Sequence, residues 1–201
     1  MGFFHQISLD VVESQRFIFQ WGAIPYQLVT GQALYGPSPV PVYFTLFSSM
    51  FLHGGFLHLF GNMLYLWIFG NNIEDTLGHF RFLFFYLFCG LSAAIAQVLS
   101  TPTSTVPMIG ASGAVAGVLG AYLLLFPGAR ILTLFFIIII VKLIRLPAVI
   151  VLGFWFFLQL MGVMGGSISN VAFFAHVGGF VVGLVLAKVF QPRGSRRRRR
   201  Y

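Results

Sequence analysis

The sequence predicts an all-α protein that crosses a membrane several times. Hydrophobic residues make up 58% of the 201 residues and charged residues only 8%, where a soluble domain has about 25%. The apolar residues lie in separate stretches that approach the length of a spanning helix, about 20 residues. So few charges cannot cover a soluble domain of this size, and so apolar a chain does not stay disordered. A multi-pass helical membrane protein is the class that remains.

Five stretches are predicted as membrane spans. Proline and glycine support two of their boundaries, because Pro127-Gly128 follows the third stretch and Pro147 opens the fourth. The predicted spans cover residues 56–72, 82–100, 109–127, 147–163 and 174–190. They form a membrane core at 56–190, preceded by an N-terminal segment at 1–55 and followed by a basic tail at 191–201.

One further apolar stretch, Ile131–Val141, is too short to be a span. As a helix its residues would rise about 16 Å, roughly half of a hydrocarbon core of about 30 Å. Arg130, Lys142 and Arg145 bracket it. We expect an interfacial or re-entrant segment that lies along one membrane face.

Basic residues concentrate on one predicted side of the membrane. Arg81 follows the first span, the cluster Arg130, Lys142 and Arg145 follows the third, and the run Arg196–Arg200 follows the fifth. The positive-inside rule makes that side cytoplasmic. We therefore expect a multi-pass protein of the cell membrane whose tail is cytoplasmic and whose N-terminal segment is extracytoplasmic.

The net charge of +8 does not indicate a nucleic-acid partner. Seven of the twelve Lys and Arg residues lie at or beyond Lys188, next to the last span. A basic tail in that place is expected to rest on anionic lipid headgroups, which contribute about 1 kcal/mol for each basic residue.

Four polar residues in the predicted spans suggest one common site. They are His58, Asn62, Ser112 and His176, and each lies near the extracytoplasmic end of its helix. Polar groups inside a membrane are costly and usually face a bundle interior or a water-filled cavity. Their similar depth favours a shared cavity.

Ser112 and His176 have the chemistry of a nucleophile and its general base. Ser112 follows Gly110-Ala111 at a predicted helix start, where small neighbours admit a carbonyl group and backbone N–H groups can stabilise an oxyanion. His176 would accept the serine proton and return it to the leaving amine. Each motif also has a structural reading, since a Gly/Ser cluster is often a packing surface and a histidine often bonds a neighbouring helix.

Glycines on both helices predict how the serine and the histidine could meet. Small residues four positions apart let two membrane helices approach closely. The pairs are Gly113 with Gly117 on the serine helix and Gly179 with Gly183 on the histidine helix.

The orienting carboxylate of a catalytic triad is not expected. The chain has four acidic residues, of which Asp10 and Glu13 precede any span and Glu74 and Asp75 lie at the cytoplasmic end of the first. A Ser-His dyad is what remains.

His58 and Asn62 lie one helical turn apart, on one face. The pattern resembles half of a metal motif, but no carboxylate or cysteine stands near it, so neither a metal nor a cofactor is expected. Their N–H groups fit better as donors to an oxyanion. We expect His53 and Gly110 to support these residues, while an interfacial position for His53 also explains it.

In their order on alternate spans, these motifs resemble the rhomboid family of intramembrane serine proteases. They are His58-x-x-x-Asn62, Gly110-x-Ser112-Gly113 and Ala175-His176-x-x-Gly179, and the resemblance runs from about Pro25 to Phe190. It implies a rhomboid-like helical bundle, Ser112 as nucleophile, His176 as base, and oxyanion roles for Asn62 and His58. It also implies a structural hydrogen bond for Glu74 and, as substrates, transmembrane helices of other proteins cut near the outer face.

One departure concerns the orientation of the histidine. Some family members place an aromatic residue one turn after the nucleophile, where it stacks on the histidine. Here that position is Ala116. We therefore expect helix packing alone to orient His176.

Two readings of function stay open at this point. The first is a serine endopeptidase that cleaves transmembrane segments. The second is a non-catalytic membrane protein, either an inactive relative that binds client transmembrane helices or a small channel. Inactive relatives typically lose the serine or the histidine, and both Ser112 and His176 are present, which favours the enzyme.

The resemblance implies six spans, and the sequence shows five. Phe3–Leu9 followed by Asp10 and Glu13 is typical of the outer end of a spanning helix that passes into a loop. We therefore expect residues 1–10 to be the remnant of a first span, and Met1 to be an internal start.

Overall fold

The computed structural model describes residues 2–34, 36, 39–137, 140–165 and 171–192. Most of the predicted basic tail, residues 193–201, lies outside the described residues. The N-terminal region folds as short helices, namely α1 (Phe3–Ser8), α2 (Val11–Trp21), α3 (Pro25–Thr30) and α4 (Thr45–Ser48), the last flanked by 3₁₀ turns at Val42–Phe44 and Ser49–Phe51. The remaining elements are α5 (Phe56–Tyr65), a π turn (Leu66–Gly70), α6 (Asn71–Leu77), α7 (His79–Ser100), α8 (Ser112–Leu125), β1 (Arg130–Ile137), β2 (Ile140–Pro147), α9 (Ala148–Met164) and α10 (Phe173–Phe190).

This mostly helical architecture agrees with the predicted helical bundle. Within the described part of the chain, α7 and α10 are each long and apolar enough to cross a bilayer. The unit from α5 to α6 passes the same test together with Val42–Phe51, from which it is bent by 81°.

One predicted span proves shorter than expected. α8 has 14 residues, fewer than the about 20 of a full crossing, whereas α9 has the 17 residues predicted for it. The predicted span 109–127 therefore begins too early, because residues 101–111 form a loop. That loop is held against the protein by backbone hydrogen bonds between Met108 and Ala23 and from the Gly110 N–H to the Ser49 carbonyl, so its irregular backbone is satisfied without a helix.

α8 is the central helix of the bundle. Every residue from Gly113 to Tyr122 is buried. It packs against α10 and α7 and, lower down, against the π turn, where the rings of Phe69 and Tyr122 meet edge to face at 5.0 Å. The glycines of α8 allow this burial on all sides, because they let neighbouring helices approach to backbone distance.

The close approach of α8 and α10 occurs where the glycine pairs predicted it. A methyl group built on Gly179 would collide with the Gly113 carbonyl, and one built on Gly183 would collide with the backbone of Gly117. On the other side of α8, the side chain of Cys89 on α7 fills the space above Gly117. Only glycine permits this crossing at either level.

The chain between α8 and α9 forms a β-hairpin that the all-α prediction did not include. β1 and β2 pair antiparallel, with Arg130 opposite Pro147 and Ile137 opposite Ile140. The described residues of the segment Ile131–Val141 are therefore strand, and its place along one membrane face stays a prediction. An extended pair satisfies backbone groups between two strands, which suits an apolar run too short to span.

The N-terminal region packs against the bundle. α1 contacts the chain before α5, because the Gln6 side chain donates to the His53 carbonyl at 2.8 Å and accepts from the His53 N–H at 3.4 Å. Leu9 and Asp10 lie outside both helices, and a helix follows them where the sequence suggested a loop. The Asp10 carboxylate caps α2 by accepting from the Glu13 N–H at 2.8 Å, so the chain turns into a second helix.

Candidate active site

Ser112 is the first residue of α8, and its approach is shaped by glycine. Gly110 has φ +116°, a conformation that residues with a side chain rarely adopt. Its N–H donates to the Ser49 carbonyl at 2.9 Å, which fixes the turn into the helix. The Ser112 hydroxyl is thus presented at a helix N-terminus between small neighbours.

His176 lies in the first turn of α10 and meets this hydroxyl. Its Nε2 is 2.8 Å from Ser112 Oγ, the distance of a good hydrogen bond. The crossing of Gly113 and Gly179 lies one residue along α8 and three residues along α10 from this pair. Because backbone contact sets that crossing, the two side chains are held by the helices themselves.

The other ring nitrogen of His176 is also hydrogen-bonded. Its Nδ1 is 2.8 Å from Oε1 of Gln159 on α9. The Trp155 ring, one turn earlier on α9, lies against the imidazole with centroids 6.1 Å apart. The expectation that helix packing alone orients His176 is therefore wrong, because a side chain of a third helix bonds its ring.

Asn62 and His58 face the same place from α5. Asn62 is buried, and its Nδ2 has no acceptor among the described residues. The His58 Nδ1 accepts from the Gly54 N–H at 3.2 Å, so in the neutral ring the proton is on Nε2. A Cβ on Gly110 would lie 2.8 Å from His58 Nε2 and 3.7 Å from Asn62 Nδ2. Two N–H donors thus point toward the chain just before Ser112.

His53 lies behind His58, in the short break between the turn Ser49–Phe51 and α5. Its ring centroid is 5.1 Å from that of His58, and its side chain is buried, with no hydrogen-bond partner for either ring nitrogen among the described residues. Its ring packs edge to face against Phe3 and His58, so it supports the position of His58.

All four candidate residues line one cleft of about 1430 Å³. Ser112, His176, His58 and Asn62 contribute to its wall together with Trp155 and other apolar side chains. The described residues contain no group of three or more His, Cys, Asp or Glu side chains placed to hold a metal ion.

Glu74 lies on α6, away from this cleft. Its carboxylate is 2.6 Å from the Nδ1 of His79, the first residue of α7. The contact joins the end of one helix to the start of the next across Gly78, which has φ +84°.

Two glutamines were missed by the sequence reasoning. Gln159 contacts His176, as described, and Gln97 of α7 accepts from the Ala175 N–H at 3.2 Å, in the first turn of α10. The signal was present, because each is a lone amide in a predicted span, which by the rule applied to the other polar residues marks a bundle interior.

Comparison with known proteins places the chain in a family. The Rhomboid domain model matches residues 41–193, more than half of the chain. The chain belongs to the rhomboid family. Rhomboid membership implies an intramembrane protease or an inactive relative.

Several curated rhomboid proteins are similar to it. Rhomboid protease GluP of Bacillus subtilis is 34% identical over 71% of this chain and 25% of its own length. Rhomboid-like protein 11, chloroplastic, of Arabidopsis thaliana is 29% identical over 77% of this chain and 55% of its own length. RHOMBOID-like protein 5 of the same plant is 40% identical over 39% of this chain and 25% of its own length. The chain thus spans from a quarter to about half the length of these relatives.

Proposed function

We propose that this rhomboid protein is a serine endopeptidase that cleaves transmembrane segments of other membrane proteins by a Ser112–His176 dyad. The observation that carries the proposal is the 2.8 Å contact between Ser112 Oγ and His176 Nε2, made in a cleft that also presents Asn62 and His58. A serine that merely packed helices would not need an accessible hydroxyl paired with an imidazole.

The groups present are sufficient for acyl transfer. Ser112 Oγ attacks the scissile carbonyl carbon while its proton moves to His176 Nε2. The carbonyl oxygen becomes an oxyanion and accepts hydrogen bonds from Asn62 Nδ2–H and His58 Nε2–H. His176 then gives the proton to the leaving amine. Water, activated by the same imidazole, hydrolyses the acyl-enzyme and restores Ser112.

The proposed substrate class follows from the walls of the cleft. Trp155, Phe173, Leu57 and Val171 line it beside the polar groups, so apolar side chains of a membrane segment can be accommodated next to the reacting peptide bond. The distribution of Arg and Lys supports an orientation in the cell membrane with the cleft at the extracytoplasmic side.

A fluorophosphonate probe on the purified protein tests the nucleophile. We expect the wild type to be labelled and both Ser112→Ala and His176→Ala to lose labelling. Ser100→Ala is the matched control, because the Ser100 hydroxyl only bonds the Ala96 carbonyl of its own helix. A wild type that stays unlabelled would support an inactive, client-binding relative instead. A Ser112→Ala variant that still reacts would show that another residue is the nucleophile.

Cleavage of a panel of co-expressed single-span membrane proteins, followed by mapping of the cut, tests the substrate class. Asn62→Ala then tests the oxyanion site. Because this contact strengthens in the transition state, we expect kcat to fall by about 100- to 1000-fold with little change in KM. Asn71→Ala, at the exposed position that directly follows the π turn, should keep full activity. An Asn62→Ala variant that folds and keeps its kcat would contradict the assignment.

A further inference from the structure

We propose that Gln159 is a positioning residue that holds His176 in the tautomer and orientation needed to accept the Ser112 proton. The inference rests on the proposed function, since it concerns the same imidazole. It adds a third residue, an amide on α9, to what the sequence predicted as a dyad.

The contacts of Gln159 fix which way its amide faces. Its Nε2 donates to the Trp155 carbonyl at 3.4 Å, one turn earlier on the same helix. This leaves Oε1, which can only accept, at 2.8 Å from His176 Nδ1. The proton of the neutral imidazole must therefore lie on Nδ1.

That tautomer is the one that base catalysis requires. With the proton on Nδ1, the lone pair on Nε2 points at Ser112 Oγ and can accept its hydrogen. In the opposite tautomer Nε2 would be a donor and could not take the serine proton. The amide oxygen also stabilises the imidazolium that forms in the transition state, because a hydrogen bond to a charged group is stronger than one between neutral groups.

An amide suits this place better than a carboxylate. An ionised acid within the bundle would be costly to desolvate and would favour the protonated imidazole in the resting enzyme. The neutral oxygen of Gln159 supplies an acceptor without either effect.

α9 supplies a second constraint on the same ring. The Trp155 ring lies beside the imidazole, with the two ring planes tilted by 39°, while Gln159 bonds the edge of the imidazole. Trp155 is itself held against Phe180 of α10, with centroids 6.0 Å apart. Together Trp155 and Gln159 hold the imidazole from α9.

Three substitutions separate positioning from simple packing. Gln159→Leu keeps the volume and removes the acceptor, and we expect kcat to fall roughly 10- to 100-fold with KM within about twofold, as for loss of a hydrogen bond to a charged group. Gln159→Asn withdraws the oxygen by one methylene and should have a similar effect. Leu158→Ala, at the neighbouring exposed position, is the control and should keep wild-type kinetics.

Gln159→Glu restores an acceptor and adds a charge. Because a carboxylate stabilises the imidazolium, we expect Gln159→Glu at high pH to have most of the wild-type activity, unlike Gln159→Leu. The acid limb of its pH–rate profile should move up by about one unit or more. A packing role predicts no such movement.

A spectroscopic readout makes the test independent of turnover. In the full-length protein labelled with ¹⁵N-histidine, the His176 signals, identified by their loss in His176→Asn, should show the Nδ1–H tautomer with a slowly exchanging proton. Gln159→Leu should lose that protection. If the tautomer and kcat are both unchanged in Gln159→Leu, the proposal is overturned. If Gln159→Leu does not fold, an unshifted pH profile in Gln159→Glu overturns it instead. Failure of the proposed function itself would show separately, as a wild type that does not react with the fluorophosphonate.

Discussion

Two helix contacts meet at His176, α8 with α10 and α9 with α10, and they are built in different ways. α8 and α10 touch through their backbones, because glycines at 113, 117, 179 and 183 remove every side chain from the crossing. In α9, all of which the structure describes, only Ala148 and Leu152 are buried. The upper part of α9 contacts α10 through rings, with Phe156 stacked on Phe180 at 4.5 Å.

This difference separates two requirements of the site. The distance between Ser112 and His176 depends on rigid backbone contact, which tolerates no displacement. Gln159 and Trp155 orient the imidazole, and their positions depend on α9. This helix is held by its buried N-terminal residues and by aromatic contacts with α10. Changes to the glycine crossing should therefore destabilise the protein strongly, whereas single changes in α9 should have smaller effects on stability or on rate.

The largest effect is expected at the glycine crossing. The added methyl group of Gly183→Ala would collide with the Gly117 backbone, and since backbone cannot move aside, α8 and α10 must separate. We expect a loss of about 3 kcal/mol or more, which is a fall in Tm of roughly 6–12 °C, measured by thermal unfolding of the purified protein.

Gly153→Ala on α9 is the matched control. Nothing lies within 4 Å of the added methyl group, and alanine favours a helix over glycine by up to about 1 kcal/mol. This variant should be as stable as the wild type or slightly more stable. Equal Tm values for the two variants would show that the crossing is not the rigid element.

The residues of this crossing could be predicted, because its signal is local. Small residues at a spacing of four identify the face of each helix that packs, and Gly113, Gly117, Gly179 and Gly183 need no knowledge of the rest of the chain. The positions of the five core helices were predictable for a related reason, since long apolar stretches are visible without any tertiary contact.

Other features depend on contacts that a single sequence does not display. Gln159 was visible as a lone amide, but which face of α9 turns toward His176 is decided by packing at Leu152 and Phe156. The hairpin after Arg130 was missed because an apolar run of that length reads equally as strand or buried helix. The cap at Asp10 could have been predicted from the sequence. Helices commonly begin after an Asp whose carboxylate accepts from the backbone N–H three residues later.

An intermediate effect is expected in the N-terminal part of α9. Leu152 is fully buried, whereas Leu158 on the same helix is 47% exposed. Leu152→Ala should lower the free energy of unfolding by about 2 kcal/mol through the cavity it leaves, and Leu158→Ala should change it by less than about 0.5 kcal/mol. If both variants unfold at the same temperature, burial of Leu152 does not anchor α9.

The smallest effect is expected at Gln97, where α7 is joined to α10 beside the site. The Ala175 N–H lies in the first turn of α10 and has no partner within its own helix, so it donates to Gln97 Oε1. Gln97→Leu leaves this donor unpaired, and we expect a loss of about 1 kcal/mol, or roughly 2–4 °C in Tm. Gln97→Glu keeps an acceptor at the same place and should recover most of that loss at neutral pH.

Because glycine contacts with α8 hold the same end of α10, the Ser112–His176 distance should survive in Gln97→Leu, so fluorophosphonate labelling should stay within a few-fold of wild type. Complete loss of labelling in Gln97→Leu would show that the glycine crossing alone does not position His176, and that the contact of α7 with α10 is needed as well.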